Sequence, residues 1–334
     1  MRKRRLGAGG LEIAAVGLGA MSFAGVYGQA SDAESEATLT AALDLGIDHI
    51  DTANIYGMGR SERIVGAFLA KQGKARHGYF RIATKAAIAR DPETGARRID
   101  NRPEHLAAEL EGSLRRLGLD SVDLFYVHRR DPAVPIEEVA GAMGELARAG
   151  KTRAIGFSEI APSSLRRAAA VHPVAAVQSE YSLQTRAPDL GLVQACAELG
   201  TTLVAFSPVG RGLLTDAPPG PEAVAASEFL RVNPRFMTPN LAANLAHVDA
   251  FRRLAAEMGT SAAALAIAWT LSRGEHVVPI PGTRSAAHLR ELVAGEALEL
   301  GAEDLARIEA TLPVGWAHGD RYNEAQWLGP ERYG

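Results

Sequence analysis

Short apolar runs recur along the chain, separated by longer stretches with a helical spacing of hydrophobic positions. The runs fall at 15–18 (AVGL), 47–50 (IDHI), 80–83 (FRIA), 123–127 (DLFYV), 153–157 (RAIGF), 174–178 (VAAVQ), 202–206 (TLVAF) and 276–280 (HVVPI). Runs of this length, flanked by turn residues, predict strands. Between them, Leu106, Leu110, Leu114 and Leu117 share one helix face over 104–117, and Val139, Met143 and Leu146 do so over 136–149. Gly150 then stands where a helix C-cap belongs. Ile64 and Phe68 mark a helix over 61–70, and 261–273, apolar nearly all round, predicts a buried one. Eight strands alternating with helices imply βαβ units and a parallel sheet. The economical solution is one (β/α)8 TIM barrel domain over residues 1–334, although a doubly wound sheet fits the same pattern. An N-terminal β-hairpin cap is expected, Arg5–Leu6 against Leu11–Ile13 around Gly9 and Gly10. Five prolines in residues 210–240 mark an extended loop over one barrel face.

Composition narrows the function classes. The 334 residues carry 36 Lys+Arg against 39 Asp+Glu, a formal charge of −3. That balance offers no electrostatic footprint for nucleic acid and no polybasic patch for a membrane. No run reaches the ~18 apolar residues of a membrane helix. The single cysteine, Cys196, excludes an internal disulfide and any cysteine cage for a metal, and suits the reducing cytoplasm. Arg2–Arg5 followed by a mostly uncharged stretch imitates an export signal, but Glu12 and the many glycines argue against it.

In an α/β barrel, chemistry gathers where strands end. Here successive strands lead to Asp51, Lys85 and His128, and later ones to Ser158, Gln178, Ser207 and Gly282-Thr283-Arg284. Tyr56 follows Asp51 across the loop that begins at Gly57. A free phenol titrates near pH ~10. An ammonium ~4 Å away favours the phenolate by up to about 4 kcal/mol at an effective dielectric near 20. Asp51, Lys85 and Tyr56 together therefore have the makings of a general acid, with His128 beside it to orient a carbonyl. Taken singly, each has a blander reading: a turn cap, a solvated lysine, a surface tyrosine. Competing chemistries lack their residues. The chain contains no Tyr-x-x-x-Lys pair, no Gly-x-Gly-x-x-Gly, no P-loop, no Gly-x-Ser-x-Gly elbow, and no His-x-His or His-x-x-x-His for a metal.

The segment Asp51-Thr52-Ala53-Asn54-Ile55-Tyr56-Gly57 through Ser61-Glu62 resembles the first signature of the aldo-keto reductases. Ala83-Thr84-Lys85, Tyr126-Val127-His128-Arg129, Gly156-Phe157-Ser158-Glu159, Gln178 to Ser182, Ala205 to Gly212 and Pro279 to Ser285 resemble the later ones, in family order. The resemblance runs from about residue 4 to 322, nearest to the bacterial and plant general reductases. It implies a barrel that binds NADP(H) across its C-terminal face and reduces a small carbonyl substrate by hydride transfer. Tyr56 would be the general acid, tuned by Asp51 and Lys85, with His128 orienting the substrate. Ser158 and Gln178 would hold the carboxamide, and Phe206 would stack on the nicotinamide. Ser207, Val209, Gly210 and Gly212 would meet the pyrophosphate, with Arg211 clamping over it. Gly282, Thr283, Arg284 and His288 would face the 2′-phosphate, and Glu291 the adenine. Glu159, Phe206 and Leu292 depart from the commoner family residues, Asn, Tyr and Asn. Loops and tail are expected to give a partly aromatic pocket through Phe23, Tyr27, Trp316 and Tyr322, although a packed tail accounts equally well for Trp316 and Trp327. Two other classes share these features: a cofactor-binding regulatory subunit of reductase fold, and an aldolase using Lys85 as a Schiff base.

Overall fold

The computed structural model describes residues 1–73, 76–91 and 93–333. Eight parallel strands make the barrel: β1 Leu18–Gly19, β2 His49–Asp51, β3 Arg81–Ala86, β4 Leu124–Val127, β5 Ile155–Ser158, β6 Ala176–Glu180, β7 Thr202–Phe206 and β8 Val277–Ile280. They pair in sequence order from β1 to β8. The ring closes because the Gly17 and Gly19 amides donate to the Pro279 and Pro281 carbonyls, both at 3.0 Å. Every expected apolar run overlaps an observed strand, and the doubly wound alternative falls.

Side-chain alternation sorts the strands into two layers. Leu124 and Tyr126, Ala176, Val204, Val278 and Ile280 point into the barrel, while Phe125, Val127, Val177, Leu203 and Val277 pack against the helices outside. Because side chains repeat every two residues, the inward parity carried to each strand's C-terminal end selects Asp51, Lys85, His128, Ser158, Gln178 and Phe206. The polar residues at the strand ends thus all face inward at one end of the barrel.

The surrounding helices are α1 Asp32–Asp44, α2 Arg60–Lys71, α3 Pro103–Leu117, α4 Ile136–Arg148, α5 Pro162–Ala169, α6 Leu192–Leu199, α7 Ala262–Leu271 and α8 Ala286–Ala294. Further helices span Asn240–Glu257 and Ala302–Thr311. Among the described residues, no single helix is long and apolar enough to cross a membrane. The apolar α7 is buried along its whole length.

The N-terminal hairpin exists, but its strands are Lys3–Arg5 and Glu12–Ala14, farther out than expected. Its position explains the shift. Leu6 and Ile13 plug the N-terminal mouth of the barrel, the Gly7 amide donates to Thr202 Oγ1 at 2.9 Å, and the buried Arg4 guanidinium donates to the Leu271 and Gly274 carbonyls, both at 3.0 Å. Register is set by this plug rather than by the Gly-Gly turn. At the opposite mouth, a hairpin of Ile88–Arg90 and Arg97–Ile99 was not evident in the sequence. Residues 210–240 contain a short helix, Pro221–Ala226, and contribute Arg211, Gly212, Thr215 and Phe229 to the cavity at that mouth.

Candidate active site

Lys85 lies at the end of β3 with no solvent exposure, and Asp51, at the end of β2, is 2% exposed. The Lys85 ammonium donates to Asp51 Oδ1, to the Thr52 carbonyl at 2.8 Å and to the Tyr56 hydroxyl at 3.4 Å. The second oxygen of Asp51 accepts from Gln178 Nε2 at 2.8 Å. Burial works against the lysine charge, yet Asp51, with Tyr56, more than offsets it and holds the ammonium above its ordinary titration range. Lys85 does not border the cavity. An amine so engaged and covered is not placed to attack a carbonyl, which removes the Schiff-base alternative.

Tyr56 does border the cavity, and local structure fixes it there. Gly57, Met58 and Gly59 all have positive φ (59°, 51° and 83°), a turn that glycine at its ends makes affordable. The start of α2 is then locked to the barrel. Ser61 Oγ lies 2.8 Å from Thr52 Oγ1 and donates to the Ala20 carbonyl at 2.8 Å. Buried Glu62 accepts from Thr84 Oγ1 at 2.6 Å and from Arg116 Nε at 2.5 Å. The Ser61-Glu62 pair of the sequence signature is therefore a brace for the tyrosine turn.

The His128 ring stands edge-on to Tyr56, centroids 5.8 Å apart at 82°. Burial, then the charges of Arg129, Lys85 and Arg97, push His128 far below the ordinary imidazole range. Both effects favour the uncharged ring. Beneath the pair, Tyr126 lies under Lys85, whose ammonium is 5.8 Å from its ring centroid. A Cβ on Gly156 would come within 2.6 Å of that ring, so only glycine leaves it room.

From Tyr56 and His128 the cavity, about 820 Å³, runs past Ser158, Gln178 and Phe206 to Arg284, His288 and Glu291. Ser207, Val209, Arg211, Gly212, Gly282 and Thr283 border it too. Gly210 does not: it makes a turn with φ 58°, where a Cβ would meet Gln184 at 2.8 Å. The Arg284 guanidinium donates to the Tyr27 carbonyl at 2.7 Å, and Ser285 caps α8 beside it. Arg211 departs from expectation. Its guanidinium turns inward, donating to Glu180 at 2.7 Å and to the Arg321 carbonyl at 2.6 Å, rather than lying free to clamp a ligand. Phe23 and Trp316 are also corrected: both are packed inside, with Trp316 Nε1 donating to the Leu183 carbonyl at 2.8 Å. Tyr27 and Tyr322 do line the cavity, joined by Arg97 and Arg129, which sequence reasoning did not single out.

The comparisons with known proteins agree with this architecture. Residues 15–313 match the model of the Aldo/keto reductase family. The chain belongs to that family. Among its relatives within the aldo/keto reductases is "Aldo-keto reductase yakc [NADP(+)]" of Schizosaccharomyces pombe, 36% identical over 313 residues, 93% of this chain and 92% of that one. Another is probable aldo-keto reductase 1 of Glycine max, 36% identical over 95% of this chain and 91% of its own. The glycerol dehydrogenase AKR11B4 of Gluconobacter oxydans superposes with a TM-score of 0.79 at 29% identity, covering 93% of this chain and 94% of that structure.

Glu159, next to Ser158 at the end of β5, has a partner of its own. It accepts from Arg321 and from Ser179 Oγ at 3.2 Å, pinning the C-terminal tail over the cavity. Burial opposes its ionisation, but Arg321 and Arg129 outweigh that and keep its carboxyl below the usual range.

The depressed His128 has a sign that can be measured. A free imidazole, with pKa near ~6.5, is mostly protonated at pH 6, whereas NMR of ring-labelled histidine should show His128 uncharged there. Because the unfolded chain binds this proton and the folded one does not, its contribution to stability declines as pH falls below ~6.5. A His128 resonance titrating near pH 6.5 would contradict the burial and charge environment described.

Proposed function

We propose that this chain is an NADP(H)-dependent oxidoreductase that reduces a small aldehyde or ketone to an alcohol, with Tyr56 as the general acid. The observation that carries this is the position of the Tyr56 hydroxyl, on the cavity side of a buried Asp51–Lys85 pair and 3.4 Å from the ammonium. The name of the fission-yeast relative, which prints NADP(+), supports the cofactor.

The residues present fit a dinucleotide. A cavity of about 820 Å³ is large enough for an extended ligand. One end offers Arg284 and His288 beside the N-terminus of α8, a combination suited to a phosphate. Ser207 and the run Gly210, Arg211 and Gly212 have positive φ and fold into a tight turn beside the cavity, held by the Gly210 and Gly212 amides donating to the Ser207 and Val209 carbonyls at 2.9 and 3.1 Å. Arg211 would take part through this backbone, since its side chain is spent on Glu180. Phe206 is half-buried at the middle of the cavity, placed to stack on a flat ring, with Ser158 and Gln178 near to hold its amide substituent. Gly282, Thr283 and Glu291 complete the adenosine end. When bound, the nicotinamide would supply the hydride to the carbonyl carbon.

This chain's own groups would handle the proton. Neutral His128 offers a ring nitrogen to the carbonyl oxygen without competing as an acid. Tyr56 gives its proton to that oxygen as negative charge develops, and Lys85 stabilises the phenolate left behind. Asp51 keeps Lys85 charged. The buried thiol of Cys196 suits a reducing, cytoplasmic setting.

Two substitutions separate the proton donor from the cofactor site. Tyr56→Phe should lower turnover about 10²–10⁴-fold while NADPH, followed by its fluorescence, still binds. Near-native turnover would overturn the role given to Tyr56. Arg284→Ala should weaken NADPH roughly ten- to a hundredfold, the value of a charged hydrogen bond, and leave NADH almost unchanged. Equal weakening of both would show that Arg284 does not read the phosphate.

A further inference from the structure

The wall of the cavity beside His128 holds two guanidinium groups that lack a carboxylate partner. Arg129 follows His128 directly and is 8% exposed. It donates to the His128 carbonyl at 2.6 Å, to Ser158 Oγ at 3.1 Å and to the Tyr322 hydroxyl at 3.3 Å, all neutral acceptors. Its Nε is buried without a partner. Arg97, half-buried in the hairpin over this mouth, borders the same cavity; among the described residues it donates to the Leu328 carbonyl at 3.4 Å, and its buried Nε has no partner. Among the described residues, neither arginine has a carboxylate within 4 Å, although the buried Arg211, Arg235 and Arg321 of this end do.

The neighbouring acids are already engaged. Glu159 is held by Arg321 and Ser179, and Glu180 by Arg211 at 2.7 Å and Arg235 at 3.3 Å. Asp51 is taken by Lys85. A buried or half-buried cation with no carboxylate in contact is costly, and an anion brought by another molecule would offset that cost. The electrostatic imprint is visible on the neighbours: burial and then Arg129 pull Arg97 below its ordinary value, and both arginines help to depress His128. The cavity's far end has its own cation, Arg284, for the cofactor, so this surplus lies at the carbonyl end.

Resting on the reductase reading, we propose that the substrate carries an anionic group, carboxylate or phosphate, a few atoms from its reacting carbonyl, and that Arg129 and Arg97 receive it. Arginine suits such oxyanions because its planar fork can meet two oxygens at once.

The test compares charged and neutral aldehydes of similar shape at saturating NADPH. The pairs are 4-carboxybenzaldehyde with 4-carbamoylbenzaldehyde, and glyceraldehyde 3-phosphate with glyceraldehyde. Wild type should favour the charged member of at least one pair in kcat/KM by about ten- to a hundredfold, and the pair that responds distinguishes carboxylate from phosphate. Arg97→Gln should remove most of that preference by raising KM for the charged aldehyde alone. Arg129→Gln should do the same, but because Arg129 also touches Ser158 and the His128 carbonyl, Arg97→Gln is the decisive variant. A wild type indifferent to charge in both pairs, or a preference that survives Arg97→Gln, overturns the inference while leaving the reductase reading in place. No turnover of any of the four would overturn the reductase reading and this inference with it.

Discussion

A lysine with no exposed surface must have its charge answered inside the protein, and in this barrel Asp51 answers it. Separating such a pair by removing one partner costs about 3–5 kcal/mol, so the surrounding geometry cannot drift far. Thr52, Gln178 and Tyr56 all take their positions from it: one offers a carbonyl to the ammonium, one donates to the carboxylate, and one brings its hydroxyl to the remaining ammonium hydrogen. The barrel makes the arrangement possible because adjacent strands β2 and β3 deliver an acid and a base at inward positions at one end. Of this cluster Lys85 stays out of the cavity, while Tyr56, Asp51 and Gln178 border it.

Around this fixed centre the more adaptable parts are built from arginines. Arg211, Arg235 and Arg321 converge on Glu180 and Glu159, and thereby draw residues 210–240 and the C-terminal tail onto the ends of β5 and β6. Arg321 and Arg211 also lie against the ring of Tyr322, 4.7 and 5.2 Å from its centroid, which holds that ring as a wall of the cavity. The same network engages the acids of this end directly, and so leaves Arg129 and Arg97 with no carboxylate in contact among the described residues. The asymmetry of the cavity, with cations at both ends and an aromatic and polar middle, follows from which arginines found a carboxylate.

Much of this was legible in the chain because barrel strands and their polar ends are local features. The eight runs, the leucine stripe of α3 and the strand-end residues Asp51, Lys85 and His128 each announce themselves within a few positions. What escaped depends on contacts distant in sequence. The buried face of α1 is Ser35, Thr38, Leu39, Ala41 and Ala42, too small and polar to give a stripe. The inward turn of Arg211 is dictated by Glu180, thirty-one residues earlier, and the tail's docking by Glu159, 162 residues from Arg321. Phe23 and Trp316 read as pocket aromatics in sequence, but the loop and the tail close over them. No local pattern distinguishes an arginine that has an acid waiting from one that has none.

The central claim is that the Tyr56 proton is transferred beside a buried ammonium that stabilises the charge left behind, and Lys85→Met tests it most directly. The measurement is the pH dependence of residual alcohol oxidation, where the phenolate acts as the base, taken together with a thermal melt of the same preparation. With the fold retained, the account predicts a lower rate whose rise with pH is displaced upward. A folded variant whose pH profile coincides with that of the parent would contradict it, and would reduce the Asp51–Lys85 pair to a structural brace.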